Sequence, residues 1–180
     1  MFRTLRWVPF VVLAACSWEG RVKRLSEAEF SHYYALKPFM TDPERKAYLK
    51  GKTEEARDAW LKANGCRDVM GVRECYWDRF YKYDAKQRTA IVEGAVKAGW
   101  TKEMVYMAWG APCTREKVVG RQAPRSERLV YRFEKHADGT VLVYEPNSKT
   151  AYKSVARFRR EVVLDDDRVA EITDVPGWSP

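Results

Sequence analysis

The feature that most constrains this fold is a change of hydrophobic period near Arg121. Upstream, apolar residues recur at helical spacing. Downstream, Leu129, Tyr131 and Phe133 alternate with Val130, Arg132 and Glu134, the period of a strand with one buried face. Helices followed by strands read as α+β: a helical N-terminal half, then a helical hairpin packed on a small antiparallel β-sheet. Seven Trp, ten Tyr and seven Phe in 180 residues indicate a folded chain with a real core.

In chain order, Ser26 can cap a first helix, with Glu29 completing a capping box three residues on, and Pro38 limits its length. Thr41-Asp42-Pro43-Glu44 is a stronger start: a capping residue, a proline in the first turn and acids where the helix dipole favours them. Leu49, Ala56, Trp60 and Ala63 follow near one stripe; Gly51 and Thr53 are the place for a division, and Asn64-Gly65 a stop. Tyr76, Trp77, Phe80, Tyr81 and Tyr83 form an aromatic cluster interleaved with Arg79 and Lys82. Such a cluster can stack bases or sugar rings, but the expectation here is helix packing with snorkelling cations.

Asp84 and Gln87 open a helix with a stripe at Ile91, Val92, Ala95 and Val96, expected to end at Gly99. Thr101 caps a second, which turns Met104, Val105, Ala108 and Trp109 inward and stops at Gly110 before Pro112. Ala137-Asp138-Gly139 is a hairpin turn with a return strand over 140–144. A loop over 145–149, a long basic strand or strand pair over 152–164, a turn at Asp165-Asp166-Asp167 and a short strand over 168–172 complete the pattern. The expected division is residues 1–15, a tether and first helix over 16–40, a helical region over 41–90, an ααβββ unit over 91–173 and a loose tail over 174–180.

The N-terminus carries an address. Arg3 and Arg6 precede a nine-residue apolar run from Trp7 to Ala15, too short to span a bilayer, interrupted by Pro9 and ending in small residues. That is the pattern of a secretory signal peptide. Leu13-Ala14-Ala15-Cys16 resembles the lipobox of bacterial lipoproteins. The resemblance implies cleavage between Ala15 and Cys16, acylation of Cys16 and a permanent membrane anchor, since several acyl chains hold where one is marginal. Ser17 then favours the periplasmic face of the outer membrane. Loss of Arg3 and Arg6 lowers the formal charge from +8 to +6. For an anchored protein this balance points to anionic envelope polymers or an acidic partner rather than nucleic acid.

Cys66, Cys75 and Cys113 match no zinc or redox spacing. An oxidising periplasm allows one disulfide. Cys66 with Cys75 is the first choice because the segment between them contains Gly71 and can fold back; two uncoupled thiols are the alternative.

Gly99-Trp100-Thr101-Lys102-Glu103-Met104-Val105, Trp109-Gly110-Ala111-Pro112, the strand at Leu129 to Phe133, and Phe158 with Val162-Val163-Leu164-Asp165-Asp166-Asp167-Arg168-Val169 form one series. On these residues the chain from Gly94 to Ile172 resembles the BamE family (SmpA/OmlA domains) of outer-membrane lipoproteins. The resemblance implies two helices on a small antiparallel sheet. Two features depart from it: about eighty residues separate Cys16 from the motif, and the closing turn holds three aspartates rather than Asp-Gly. A similar architecture serves in proteinaceous inhibitors, so an inhibitor-like protein binder is a neighbouring reading.

His32 and His136 lack metal-ligand spacing, and neither a nucleophile elbow nor a phosphate loop occurs. Cys113 lacks a partner by spacing, and the aspartate triplet lacks the glycine and distal glutamate of a calcium loop. The expectation is therefore a non-catalytic lipoprotein without cofactor or metal. It would bind another envelope protein as a scaffold or assembly factor, or else bind peptidoglycan or lipopolysaccharide.

Overall fold

The computed structural model describes residues 18–144 and 154–178. The expected signal peptide, Ala15, Cys16 and the 145–149 loop lie outside those residues. The described chain is α+β, with seven α-helices, a two-stranded hairpin and a five-stranded antiparallel sheet.

The helical half runs α1 (Trp18–Val22), α2 (Glu27–Leu36), a 3₁₀ turn (Lys37–Phe39), α3 (Asp42–Tyr48) and α4 (Glu54–Ala63). Local chemistry sets most of these ends. Ser26 accepts from the Glu29 N–H while the Glu29 carboxylate accepts from the Ser26 N–H, and Thr41 with Glu44 repeats the arrangement. The expected division at Gly51 and Thr53 is present, Thr53 capping α4. The stretch expected as a tether is helical from Trp18, and Val22 is already buried in the core.

A short hairpin follows, β1 (Arg67–Val69) and β2 (Val72–Glu74), then α5 (Tyr76–Tyr81), α6 (Ala85–Val92) and α7 (Lys102–Trp109). The aromatic cluster is packing, as read: Tyr76 and Phe80 are buried, and Trp77 stacks on Tyr81 at 4.0 Å. α6 ends two turns before the expected Gly99. The chain leaves it at Gly94, whose φ of 70° suits glycine and whose carbonyl accepts from the Trp109 indole N–H at 2.9 Å. Ala95 and Val96 therefore lie beyond the helix.

In the sheet, β4 (Ser126–His136) pairs along its length with β6 (Ser154–Asp165), and β7 (Arg168–Pro176) lies outside β6. β3 (Thr114–Lys117) and β5 (Val141–Val143) lie end to end on the other edge of β4, against residues 127–130 and 133–135. Leu129, Tyr131 and Phe133 sit opposite Val162, Arg160 and Phe158 on the helix-facing side. Trp109 of α7 meets Tyr131 and Phe133 edge-on at 5.2 Å. The cation in that row, Arg160, lies over Trp109, Phe133 and Phe158 and is held by Asp174 at 2.6 Å.

Two expected boundaries are corrected. A division at 90/91 falls inside α6, and one hydrophobic core runs from Leu36, Tyr48 and Leu61 through Ile91 and Val105 to Leu129 and Val162. The tail expected to be loose from 174 continues β7 to Pro176. Beyond it Trp178 donates to the Phe133 carbonyl at 3.0 Å and packs on Tyr144 at 4.6 Å. Proline is tolerated there because β7 is an edge strand.

Candidate functional site

Where the 3₁₀ turn, the β1–β2 hairpin and α5 meet α7 and the β6–β7 turn, the surface opens into a cleft of about 770 Å³. Phe39 and Tyr106 give it apolar walls; Arg67, Lys82 and Glu103 form one side, and Lys102 with Asp166, Asp167 and Arg168 the other.

The local sequence explains how these groups arrive together. Arg67 and Glu74 are opposite partners in the hairpin, so both side chains leave the same face. Lys82 follows α5, and Glu103 is the second residue of α7, just inside the Thr101 cap, where the helix dipole favours an acid. The β6–β7 turn is fastened beside them. Asp167 accepts from the Lys102 N–H at 2.9 Å, Gly99 donates to Val169 at 2.7 Å, and Arg168 donates to the Gly99 carbonyl at 3.2 Å.

Glu103 accepts from Arg67 at 2.6 Å and from the Tyr83 hydroxyl at 3.2 Å, with Arg79 at 3.3 Å and Lys82 also in contact. Glu74 accepts from Arg67 and Lys82, each at 2.7 Å. Burial works against ionisation of Glu74, but the hydrogen bonds from Lys82 and Arg67 outweigh it and hold its pKa below the usual carboxylate range. Burial also lowers the Arg79 pKa, and its guanidinium lies 4.5 Å over the Phe39 ring. Burial raises the Tyr83 phenol.

Glu74 and Glu103 are thus each held by cations. Among the described residues no group of three or more His, Cys, Asp or Glu is placed to hold a metal ion. The arrangement presents apolar walls within a charged rim, a surface for noncovalent binding.

The residues singled out from sequence are scattered. Cys66 and Cys75 are joined in a disulfide that closes the base of the β1–β2 hairpin. Cys113 is free and exposed, entering β3. His32 is buried among Trp77, Phe80 and Tyr81. Of the aspartate triplet, Asp165 is held by Arg121 at 2.8 Å and the Ser126 hydroxyl at 2.6 Å, while Asp166 and Asp167 form the turn with positive φ and face the cleft. No local sequence pattern announces the Arg67–Glu74–Lys82–Glu103 knot, because Lys82 and Glu103 come from separate elements. No helix among the described residues is long and apolar enough to cross a membrane.

Comparison with known proteins found no matching family model, no matching curated protein and no matching solved structure.

Proposed function

We propose that the chain is a lipid-anchored envelope lipoprotein that acts as a non-catalytic, protein-binding scaffold or outer-membrane assembly factor. Acyl chains on Cys16 would hold it at the periplasmic face of the outer membrane. The observation that carries this reading is the Cys66–Cys75 disulfide, because such bonds persist in oxidising compartments and agree with an export signal over residues 1–15, cleaved before Cys16. Two further observations support it: the cations gathered on Glu103 in the cleft, and α7 packed through Trp109 on an antiparallel sheet. Cys16→Ser tests it. An uncleaved precursor should accumulate, and cross-linked envelopes should return a consistent protein partner from the wild type. Unchanged processing and location would refute the anchor.

A second reading, binding of an anionic envelope polymer, is favoured by the sheet face turned away from the helices. There Arg132 and Arg157 lie 5.3 and 5.1 Å over the ring of Trp178, which packs on Tyr144. Sedimentation with purified sacculi or lipopolysaccharide would then show retention that falls as salt rises. Retention absent at low salt would exclude it.

A further inference from the structure

The β1–β2 hairpin ends in Val69-Met70-Gly71-Val72, and its tip is greasy. Met70 is 100% exposed, Val72 66% and Val69 39%. Two residues make the turn, Met70 with φ 54° and Gly71 with φ 81°, both left-handed. Turns of this geometry favour Asn-Gly or Gly-Gly, because an unbranched apolar side chain gains nothing there and strains the backbone. Solubility argues against methionine at the same position. Local stability and solubility both disfavour Met70, so its presence points to a contact made outside the chain.

The hairpin is also braced well beyond what so short a ladder supplies by itself. The Cys66–Cys75 disulfide closes its base, the Arg67–Glu74 pair bridges the strands at 2.7 Å, and the Asp68 carboxylate accepts from the Gly71 N–H at 2.9 Å. A pre-ordered apolar projection loses little entropy on binding.

Three properties select the occupant. The segment's charges cancel, Arg67 and Arg73 against Asp68 and Glu74, in a chain of net +8, so nothing on it draws it to an anionic lipid surface. It carries no aromatic residue of the kind that anchors proteins at a membrane interface. A second copy of this chain would bring the same net charge of +8 against itself, which opposes self-association. Register adds a direction. Val69 and Val72 are opposite partners two residues beyond Arg67 and Glu74, so they leave the same face as the rung that borders the cleft.

We propose that this finger is a protein-docking knob: Met70 enters an apolar pocket on a partner protein while Val69 and Val72 continue the contact from the cleft. The inference rests on the scaffold reading and deepens it.

The test places a photoreactive amino acid at position 72 of the full-length chain in intact cells. The expected result is one protein adduct, identified by mass spectrometry, that the purified chain also binds in isolation. Met70→Asn should reduce both adduct and binding at least about tenfold, the size of a hot-spot loss. Asparagine suits the turn, so the thermal midpoint of that variant should stay level or rise, which separates lost docking from lost folding. No adduct, an adduct with lipid or with a second copy, or an adduct indifferent to Met70→Asn overturns the proposal. If Cys16→Ser leaves processing and location unchanged while the Met70-dependent adduct persists, the anchor fails and the knob stands.

Discussion

Arg57 and Ser26 share one oxygen of Glu29: the Arg57 guanidinium donates to Oε2 at 2.9 Å and the Ser26 N–H donates to the same atom at 2.8 Å. The cap of α2 and its tie to α4 are therefore one device. Glu29 is 1% exposed and Arg57 9%. Burial opposes the Glu29 charge, yet the hydrogen bonds from Arg57 and Ser26 and the charge of Arg57 together hold its pKa below the usual carboxylate value.

Breaking this pair from one side leaves a buried charge uncompensated. Glu29→Gln should lower unfolding stability by about 3–5 kcal/mol, whereas Glu29→Leu with Arg57→Met should lower it much less. Denaturant unfolding measures both. A single-variant cost below about 1 kcal/mol would contradict a buried, shared-oxygen pair.

His32 should make the protein acid-sensitive. Its ring is buried, with Nδ1 3.4 Å from the Tyr81 hydroxyl; burial pushes its pKa down to about 4, only partly opposed by the Glu29 charge. The unfolded chain takes up this proton as pH falls through 6.5, the folded chain only near 4. Stability is therefore full above pH 6.5 and is lost on going down to 4, by up to about 3 kcal/mol. Between pH 6.5 and 5, above the ordinary carboxylate range, His32→Leu should flatten the thermal-midpoint profile. An unchanged slope would show that His32 is not its source.

Reduction of the Cys66–Cys75 bond, which spans a sequence separation of 9, should cost about 2–3 kcal/mol by releasing the unfolded chain. Titration with dithiothreitol during equilibrium unfolding measures it. The hairpin amides should lose hydrogen-exchange protection first; an unchanged midpoint would indicate that the thiols are not joined.

Trp178 should report on the sheet rather than on solvent. Its indole N–H donates to Phe133 while Arg132 and Arg157 lie over its ring. Trp178→Ala should cost about 2 kcal/mol and expose the end of β7 to exchange. A loss within experimental error would restore the expectation of a loose tail.

How legible the fold was depended on the range of the interaction. Ser26 with Glu29, Thr41 with Glu44, Asp84 with Gln87, and Thr101 were readable because each cap acts within one helical turn. The Asp138-Gly139 turn and the aspartate turn before Arg168 were readable for the same reason. Thr114–Lys117 gives no strand signal because it holds no apolar residue and is a strand only through pairing with the edge of β4. Arg67–Val69 is too short to show a period. Pro176 and Gly177 resembled a free end until the edge of β6 accounted for them. The Glu29–Arg57 pair and the cleft's charge knot join residues from different elements, and no local pattern announces them. The disulfide was a first choice among alternatives, with Gly71 as the reason, and the hairpin uses that glycine as expected.

The central claim, that a modified thiol confines a binding body to a membrane surface, is tested most directly by the intact mass of the protein purified from its native membranes. The account predicts a chain that begins at Cys16 and carries added mass equal to acyl groups. A chain that begins at Met1 with no added mass would contradict it.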